Sequence, residues 1–220
     1  MKAQPSLEEP GPLSTGRSPD RRERKRTRTR LMIQKEAFRL FGEKGYTETT
    51  VEEIADAAAI SPSTFFRYFP SKEDVVLWDE YDALSLDLLE ERPAGEPVVE
   101  TMRLVIRESL AGLYRRDPEQ LLARVRLDFT VPELRARIFD GQNHGIEQLV
   151  PLLRRKKGAV DELHVRVAAS ALLGAVMVAL DRWQRADGAT DLLALVDEAT
   201  DALADCTREL ETSQRSRRSR

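Results

Sequence analysis

The chain contains 220 residues, 41% of them hydrophobic, and has a formal charge of -3. That length is sufficient for one sizeable hydrophobic core or two modest ones. The charge is segregated: residues 1–72 hold 14 Lys and Arg against 10 Asp and Glu, residues 73–211 hold 17 against 28, and residues 212–220 hold 4 Arg and no acid. An acidic body repels a polyanion except where its basic ends meet it, so this pattern is typical of a nucleic-acid reader with a separate second domain.

The counts of cysteine and histidine exclude several kinds of site. Cys206 is the only cysteine, which rules out an internal disulfide and a cysteine-rich zinc site and favours an intracellular location. The two histidines, His144 and His164, have no partners at ligand-like spacing, so we expect ordinary surface or packing roles and no metal site.

Membrane and enzyme classes are also disfavoured. The longest uncharged apolar run, residues 167–180, is too short to cross a bilayer. The N-terminus has no apolar segment of the secretory kind. No Gly-rich phosphate loop and no grouping of nucleophile, base and orienting residue appears. We therefore expect a cytoplasmic protein without catalytic residues or a cofactor.

Residues 1–26 are rich in Pro, Gly, Ser and charge, and we expect them to form a disordered basic arm. Eight basic residues lie within residues 17–30. Two interpretations stay open for this segment. It is either a solubilising tail, or an arm that follows a phosphate backbone or enters a minor groove, with Arg28 as its candidate DNA contact.

The first predicted helix begins near Thr27 and ends at Gly45, where a left-handed cap is easiest for glycine. It carries one apolar stripe at helical spacing, formed by Ile33, Ala37, Phe38 and Phe41. Ordered structure is therefore expected from Thr27, and residues 27–72 are expected to form the first domain.

Two short helices follow this first helix. Thr50 and Glu53 form a capping box ahead of a helix of barely two turns. Ser61 is a good N-cap and Pro62 suits a first helical turn, so a third helix starts at Pro62 after a turn of about three residues. Two short helices joined so tightly and packed on a longer one predict a helix-turn-helix, whose second helix fits a DNA major groove.

The third helix has two faces. Phe65 and Phe69 are four residues apart and should face the core. Ser63, Thr64 and Arg67 should point outward, where they can reach base edges or phosphates. Phe66 and Tyr68 lie between the two faces. The alternative is a bundle segment whose aromatics are only core, but a bundle does not need the capped double break.

These residues resemble the N-terminal signature of the TetR family of bacterial transcriptional regulators over residues 27–76. The matching positions are Ile33, Ala37, Leu40, Phe41, Gly45, Tyr46, Thr49, Thr50, Val51, Ile54, Ala55, Ala58, Ser61, Thr64, Arg67, Tyr68, Phe69 and Lys72. The resemblance implies an all-α homodimeric repressor with an N-terminal DNA-binding domain and a C-terminal domain for a small inducer.

The resemblance also implies roles for individual residues. Phosphate contacts are implied for Thr50, Tyr68 and Lys72, and groove contacts for Ser63, Thr64 and Arg67. The full set of candidate DNA-binding residues adds Arg28, Ser61, Pro62 and Phe66.

Three positions depart from the family pattern. Ala59 replaces the common turn glycine, and we expect it either to adopt a turn that is not left-handed or to tolerate mild strain. Ser63 replaces a residue that is often glycine. Phe66 replaces a frequent tyrosine and removes one possible phosphate hydrogen bond, which places more of the burden on Tyr68 and the basic arm.

The remaining chain, residues 73–211, is predicted to be a helical ligand-binding and dimerisation domain, followed by a disordered basic tail at 212–220. Ser71 and Asp74 should cap a fourth helix that runs to about Glu90 and links the two domains. Further helices are expected at 98–115, 118–128, 133–157, 161–186 and 191–211, with a kink at Pro151.

The last two predicted helices are candidates for a dimer interface. The helix at 161–186 is apolar nearly all round and must be covered nearly all round. A second copy of the chain would cover it, and the alternative is burial within one protomer. The interface candidates are Leu173, Met177, Leu180, Leu195 and Ala199.

A small-molecule site should combine apolar walls with a few polar groups. Candidates in the second domain are Trp78, Tyr81, Phe129, Gln142 and Asn143, each of which could also be ordinary core or surface. Residues 124–137, RVRLDFTVPELRAR, faintly resemble TetR-type regulators grouped with acyl-CoA-like ligand binders. We therefore expect an apolar or amphipathic effector that releases operator DNA. Two alternatives stay open: a constitutive DNA-binding protein, and a second domain that binds another protein.

Overall fold

The structure, a computed structural model, describes residues 21–78, 82–158 and 160–218, with side chains described except at 82–86 and 207–218. Over these residues the fold is all-α, as predicted, and it contains no strand. In chain order the helices are α1 (Arg21–Lys44), α2 (Val51–Ala57), α3 (Pro62–Tyr68), α4 (Lys72–Leu77), α5 (Asp82–Glu91), α6 (Val98–Arg116), α7 (Pro118–Thr130), α8 (Pro132–Lys157), α9 (Glu162–Arg185) and α10 (Leu192–Arg218).

Helices α2 and α3 begin at their predicted N-caps, and α1 ends at the predicted glycine. Thr50 accepts a hydrogen bond from the backbone N–H of Glu53, and the Glu53 side chain accepts one from the backbone of Thr50, which completes the capping box. Ser61 caps α3 through the backbone N–H of Thr64. Helix α1 ends before Gly45, whose φ of 92° is left-handed. Short-range hydrogen bonds therefore set these boundaries.

Helices α1 to α4 pack around one core. Its buried residues include Ile33, Phe41, Ile54, Phe65 and Phe69. Leu134, at the start of α8, is fully buried in the same cluster. The first domain is therefore seated directly on the second, and α8 belongs partly to both.

Two ends of the chain are more helical than we expected. Helix α1 begins at Arg21, before Thr27, so residues 21–26 are not the disordered arm of the sequence prediction. Arg and Lys are good helix formers, and Glu23 lies in the first turn where an acid favours the helix dipole. Helix α10 runs to Arg218, beyond residue 211, because no Pro or Gly follows Gly188 to end it. The arm's residues 1–20 lie outside the described part of the chain.

The predicted fourth helix is two helices. Helix α4 ends at Leu77, and Trp78 is extended, with ψ of 131°. The carbonyl of Trp78 accepts hydrogen bonds from the side chains of Gln34 and Arg124 instead of continuing the helix. Side chains from two other helices therefore replace the helical bonds at the point where the prediction expected continuity.

The second domain contains two buried clusters. Leu89, Met102, Ile146, Val150 and Leu153 belong to one, together with part of α9. The other surrounds Trp183 and joins α7, α9 and α10. Apart from the C-terminal end of α10, the predicted boundaries of these helices agree to within a few residues, and α8 continues through Pro151 to Lys157.

Helix α9 is central to this domain. It packs against α6, α7, α8 and α10. Within the described ranges it is the one helix long and apolar enough to cross a membrane, by length and composition alone. One side of it, which includes Leu163, Val167 and Val178, is exposed in the protomer.

Candidate nucleic-acid interface and effector cleft

The turn between α2 and α3 is built on a left-handed alanine. Ala59 has φ of 52°, so of the two expectations for this position the strained turn is correct. The backbone N–H of Ile60 donates to Ala55 at 2.9 Å, and that of Ala59 donates to Asp56 at 3.0 Å. This pair of bonds is a Schellman C-cap, in which the left-handed residue is usually glycine. The cap fixes the angle at which α3 leaves α2.

Helix α3 presents an exposed face beside a buried one. Phe65 and Phe69 are buried in the core of the first domain, as predicted. Ser63 and Arg67 are exposed, and Phe66 is 50% exposed while it stacks edge-on against Phe65. An exposed ring beside polar groups on a short rigid helix is suited to contact with DNA sugars or thymine methyl groups.

Three hydroxyls cluster at the start of α3. The Ser61 hydroxyl lies 2.9 Å from that of Ser63 and 3.0 Å from that of Thr64, and it also accepts the Thr64 backbone N–H. Pro62 occupies the first helical turn. Ser61 is therefore first a cap, while Ser63 is exposed and Thr64 is half-buried beside it.

Two of the residues implied to contact phosphate already have partners within the chain. The ammonium of Lys72 donates to the carbonyls of Tyr46 and Thr49, at 2.8 and 2.9 Å, and lies 4.2 Å from the centre of the Tyr46 ring. The Thr50 hydroxyl donates to Glu53 at 3.0 Å. An ammonium has three N–H groups, so Lys72 joins the α1–α2 turn to α4 and keeps one donor in reserve.

Arg67 and Tyr68 form a pair at the end of α3. The guanidinium of Arg67 lies 5.5 Å from the centre of the Tyr68 ring. Tyr68 is half-buried and packs against the core of the first domain. The ring therefore positions the arginine, which is exposed beside it.

Basic residues continue along α1. Arg28 is exposed, as are all the residues from 21 to 26. Arg30 was not among the predicted DNA contacts. Its guanidinium lies over the rings of Phe69 and Trp78, 5.7 and 5.5 Å from their centres. It also donates to the carbonyl of Tyr68 at 3.4 Å. Burial, with Arg26 beside it, lowers the pKa of Arg30. No local pattern distinguishes Arg30 from the neighbouring arginines, since its partners come from α3 and α4.

A buried glutamine joins the two domains. Gln34 of α1 is 2% exposed, and its amide donates to the carbonyls of Val75 and Trp78, both at 2.9 Å. Its side-chain oxygen accepts a hydrogen bond from Gln120 of α7, also at 2.9 Å. Arg124, one turn further along α7, donates to the same Trp78 carbonyl at 3.1 Å. Trp78, a predicted ligand contact, lies at this junction beside a cavity of only about 50 Å³.

Helix α8 makes a second link to α4. The guanidinium of Arg137 donates to Ser71 at 2.8 Å and to Asp74 at 2.5 Å. Leu134, one turn earlier, is buried in the core of the first domain. Both ends of α4 are therefore held by helices of the second domain, through Arg137 at its start and Arg124 at its end.

A cleft of about 590 Å³ opens between the end of α7, the first half of α8 and the last turns of α9. Phe129 and Gln142, two predicted ligand contacts, line it. Asn143 is exposed and is absent from the lining, and Tyr81 lies outside the described residues. The lining residues are Asp128, Phe129, Thr130, Arg135, Ile138, Phe139, Gln142, Met177, Asp181, Gln184 and Arg185.

Asp128 is the unusual group of this cleft. Its buried Oδ1 accepts no hydrogen bond from the described residues. Burial raises the pKa of Asp128 to about 7, although the Arg124 guanidinium acts in the opposite direction. Asp128 was not among the predicted site residues. In the segment RVRLDFT, an acid beside several arginines predicts an ordinary ion pair, so the sequence did not indicate that Asp128 is buried and unpaired.

The predicted dimer residues divide between the protomer core and the cleft. Leu195 is 7% exposed inside the cluster around Trp183, where Leu180 and Ala199 also pack. Leu173 packs on the other cluster, and Met177 lines the cleft. The outward apolar stripe of α9 is instead Leu163, Val167 and Val178. The sequence shows the helical spacing of these three residues, but spacing alone does not determine which face of α9 the rest of the protomer covers.

The same domain pair occurs in known proteins. The family model for bacterial regulatory proteins of the tetR family matches residues 33–77, and the model for the MftR C-terminal domain matches residues 96–208. The HTH-type transcriptional regulator TcmR of Streptomyces glaucescens is 34% identical over 196 residues, which cover 84% of this chain and 86% of TcmR.

Solved structures share the fold as well. FadR of Thermus thermophilus, a TetR family transcriptional repressor in complex with lauroyl-CoA, is 29% identical with a TM-score of 0.50, covering 80% of this chain and 93% of its own. FadR of Bacillus subtilis in complex with stearoyl-CoA is 25% identical with a TM-score of 0.55, covering 79% and 96%. With both domains matched in order and with a capped helix-turn-helix at its head, the chain belongs to the TetR family of bacterial transcriptional regulators.

Proposed function

We propose that the protein is a cytoplasmic repressor that binds operator DNA as a homodimer and is released from it by a small apolar or amphipathic effector. The observation that carries this proposal is the double attachment of α4. Helix α4 follows the DNA-reading helix α3 directly, and the second domain holds it through Arg137 and Arg124. A conformational change in the second domain would therefore reach α3 through either attachment of α4. This mechanism needs no catalytic step.

The DNA-contacting surface is the exposed side of α3 with the basic side of α1. Arg67 and the hydroxyls of Ser63 and Thr64 are the groups placed to read base edges. Arg28, Tyr68 and the remaining donor of Lys72 would contact phosphates. Thr50 would join them by exchanging its hydroxyl bond to Glu53 for one to a phosphate. Ser61 and Pro62 hold the start of the helix, and Phe66 would touch sugars or methyl groups.

Dimerisation is expected through the outward apolar stripe of α9 and the neighbouring face of α10. A twofold dimer would present two α3 helices to successive major grooves, about 34 to 36 Å apart or a multiple of this. A tilt of α4 changes that separation, so simultaneous docking of both helices is lost.

The effector is expected in the second domain. The two FadR proteins are described in complex with lauroyl-CoA and stearoyl-CoA, which supports an acyl-like class of effector for this chain. The apolar side chains of Phe129, Ile138, Phe139 and Met177 in the α7–α8–α9 cleft are compatible with such a ligand.

The test of DNA recognition begins with selection of the fragments that the protein retains from its own genome. Arg67→Ala should change sequence preference, at a cost of roughly 1 to 3 kcal/mol at the bases it reads. Arg28→Ala should weaken binding to all sequences and reduce the slope of affinity against salt by about one unit. Arg155→Ala, which removes an exposed arginine near the C-terminal end of α8, is the matched control and should change neither. Unaltered operator binding by both Arg67→Ala and Arg28→Ala would show that the surface is assigned wrongly.

The test of induction is a titration of free and operator-bound dimer with lauroyl-CoA. A coupling of about 1 to 3 kcal/mol would weaken effector binding roughly 5- to 150-fold on the operator complex, by the same factor that the effector weakens DNA binding. Equal effector affinities in the two states would leave a constitutive DNA-binding protein as the function.

A further inference from the structure

The α7–α8–α9 cleft has apolar walls, and one of the residues that line it, Asp128, has an unsatisfied carboxyl oxygen. Phe129, Ile138, Phe139 and Met177 supply the walls. The Oδ1 of Asp128 is buried there without a hydrogen-bond partner among the described residues. A buried acceptor left unpaired is costly, and such groups in native proteins usually meet a partner.

The charged groups that face Asp128 are already engaged or lie at the rim. On its own helix, Arg124 donates to the Trp78 carbonyl and lowers the pKa of Asp128 without overcoming burial. On α9, Arg185 pairs with Asp181 at 2.8 Å and holds the pKa of Asp181 below its ordinary value. On α8, Arg135 is exposed at the rim of the cleft. Arg185 therefore balances the charge of Asp181, the other acid of the cleft, whereas the buried oxygen of Asp128 lacks a hydrogen-bond donor among the described residues.

We infer that this cleft is the effector site and that Asp128 anchors there an apolar molecule bearing a hydrogen-bond donor, an amine or a hydroxyl. The inference rests on the proposed function, since it assigns the effector of that same regulator. An anionic head group is disfavoured beside Asp128 because a second negative charge next to a buried carboxyl raises the energy of both. A carboxylate or phosphate would have to stay at the rim, near Arg135.

The position of the cleft explains how its occupant would reach the DNA-binding domain. Asp128 lies one turn after Arg124, which holds the end of α4, and the cleft-lining Ile138 adjoins Arg137, which holds its start. A ligand that separates α7 from α8 therefore pulls on both attachments of α4. Packed helices respond to such a change by small rigid shifts.

The experiment measures binding of three matched probes, n-decylamine, 1-decanol and decanoate, to the DNA-free dimer by calorimetry. Decylamine and decanol should bind more tightly than decanoate. Asp128→Leu, which removes both acceptors and keeps the side-chain size, should weaken the first two by about tenfold or more and leave decanoate unchanged. Asp140→Leu, which removes an exposed acid from α8, should leave all three affinities unchanged and controls for attraction of the amine to the acidic surface.

Three results would overturn the assignment: tighter binding of decanoate than of the other two probes, binding of none of them, or retention of the amine and alcohol affinities in Asp128→Leu. A melting curve for each variant establishes that it is folded, and Asp128→Asn keeps the shape of the side chain should the leucine fail to fold. Release of operator DNA separates the two hypotheses. If lauroyl-CoA releases DNA equally from the wild type and Asp128→Leu, the proposed function stands and the role of Asp128 falls. If decylamine binds through Asp128 without releasing DNA while lauroyl-CoA releases it, the cleft binds ligands but is not the effector site, and the inference fails while the proposed function stands.

Discussion

At the scale of single residues, the left-handed backbone of Ala59 fixes how the DNA-reading helix α3 is attached to α2. A left-handed conformation costs a residue with a Cβ roughly 1 to 2 kcal/mol. The turn keeps this conformation because two backbone hydrogen bonds of the C-cap and the apolar side chain of Ile60 depend on it. The strain lies directly before α3, so it contributes to the placement of the exposed face and also offers a simple test.

Ala59→Gly should stabilise the first domain by up to about 1 kcal/mol, since glycine relieves the left-handed strain and loses part of the gain to its larger unfolded-state entropy. Ala57→Gly, at the exposed last residue of α2, should instead destabilise it, by less than the roughly 1 kcal/mol of a mid-helix position. Urea unfolding followed by circular dichroism measures both changes. Destabilisation by both substitutions would show that the turn is not left-handed in solution.

The buried carboxyl of Asp128 gives a dependence of stability on pH. Its pKa of about 7 in the fold exceeds the ordinary 3.8, so the folded chain keeps a proton that the unfolded chain releases between these values. The stabilisation is complete below the lower pKa and is lost as pH rises through the upper one. Wild type should therefore lose on the order of 2 kcal/mol between about pH 5 and about pH 8 relative to Asp128→Asn. Thermal melts of the two proteins across this range measure the difference, and parallel pH profiles would contradict it.

At the scale of elements, the contacts of α1 with α4 and α7 form one buried polar junction. Gln34 uses both amide hydrogens on carbonyls at the end of α4 and its oxygen on Gln120 of α7. A fully satisfied buried amide fixes the relative positions of the elements that it joins, because any shift leaves polar groups unpaired. The end of α4 is therefore set by side chains of α1 and α7, and the break at Trp78 is part of this arrangement.

Gln34→Leu should destabilise the protein by roughly 1 to 3 kcal/mol, because two buried carbonyls lose a donor. Gln120→Leu should cost less, since it leaves one side-chain oxygen unpaired. A double-mutant cycle of the two should be non-additive because the residues share a bond. Gln148→Leu, at an exposed position on α8, is the control and should be nearly neutral. Strict additivity in equilibrium unfolding would mean that the Gln34–Gln120 hydrogen bond does not form.

At the scale of the whole molecule, the exposed apolar stripe of α9 indicates a contact with a partner surface. Val178 is 65% exposed, and Leu163 and Val167 lie on the same side of the helix. An apolar stripe of this kind marks a surface for association. A twofold partner would place the same stripe against itself, so one substitution acts on both sides of the interface.

Val178→Lys should shift the dimer toward monomer and reduce operator affinity, because it buries two facing charges in an apolar contact. Val99→Lys, which changes a valine that is 51% exposed on α6, is the matched control and should leave both properties unchanged. Sedimentation equilibrium gives the association constant, and a gel-shift titration gives the operator affinity. An unchanged association constant for Val178→Lys would place the dimer contact elsewhere.

The amino-acid sequence by itself determined the features that depend on neighbours a few residues away. The capping box of Thr50 and Glu53, the cap at Ser61 and the left-handed Gly45 are bonds or conformations within one turn of chain, so their signals are local. The division of α3 into a buried side with Phe65 and an exposed side with Arg67 follows from helical spacing alone. The fold class and the DNA-reading element could therefore be predicted before any contact between helices was known.

The tertiary structure decided everything that depends on groups distant in sequence. The helix break at Trp78 exists because Gln34 and Arg124 bind its carbonyl, and the ammonium of Lys72 is engaged because the Tyr46 and Thr49 carbonyls lie above it. Burial of Asp128 and exposure of Val178 likewise depend on which helices pack against α7 and α9. Hydrogen bonds and desolvation act through space, so the same sequence pattern is compatible with a paired or an unpaired group until the packing is known.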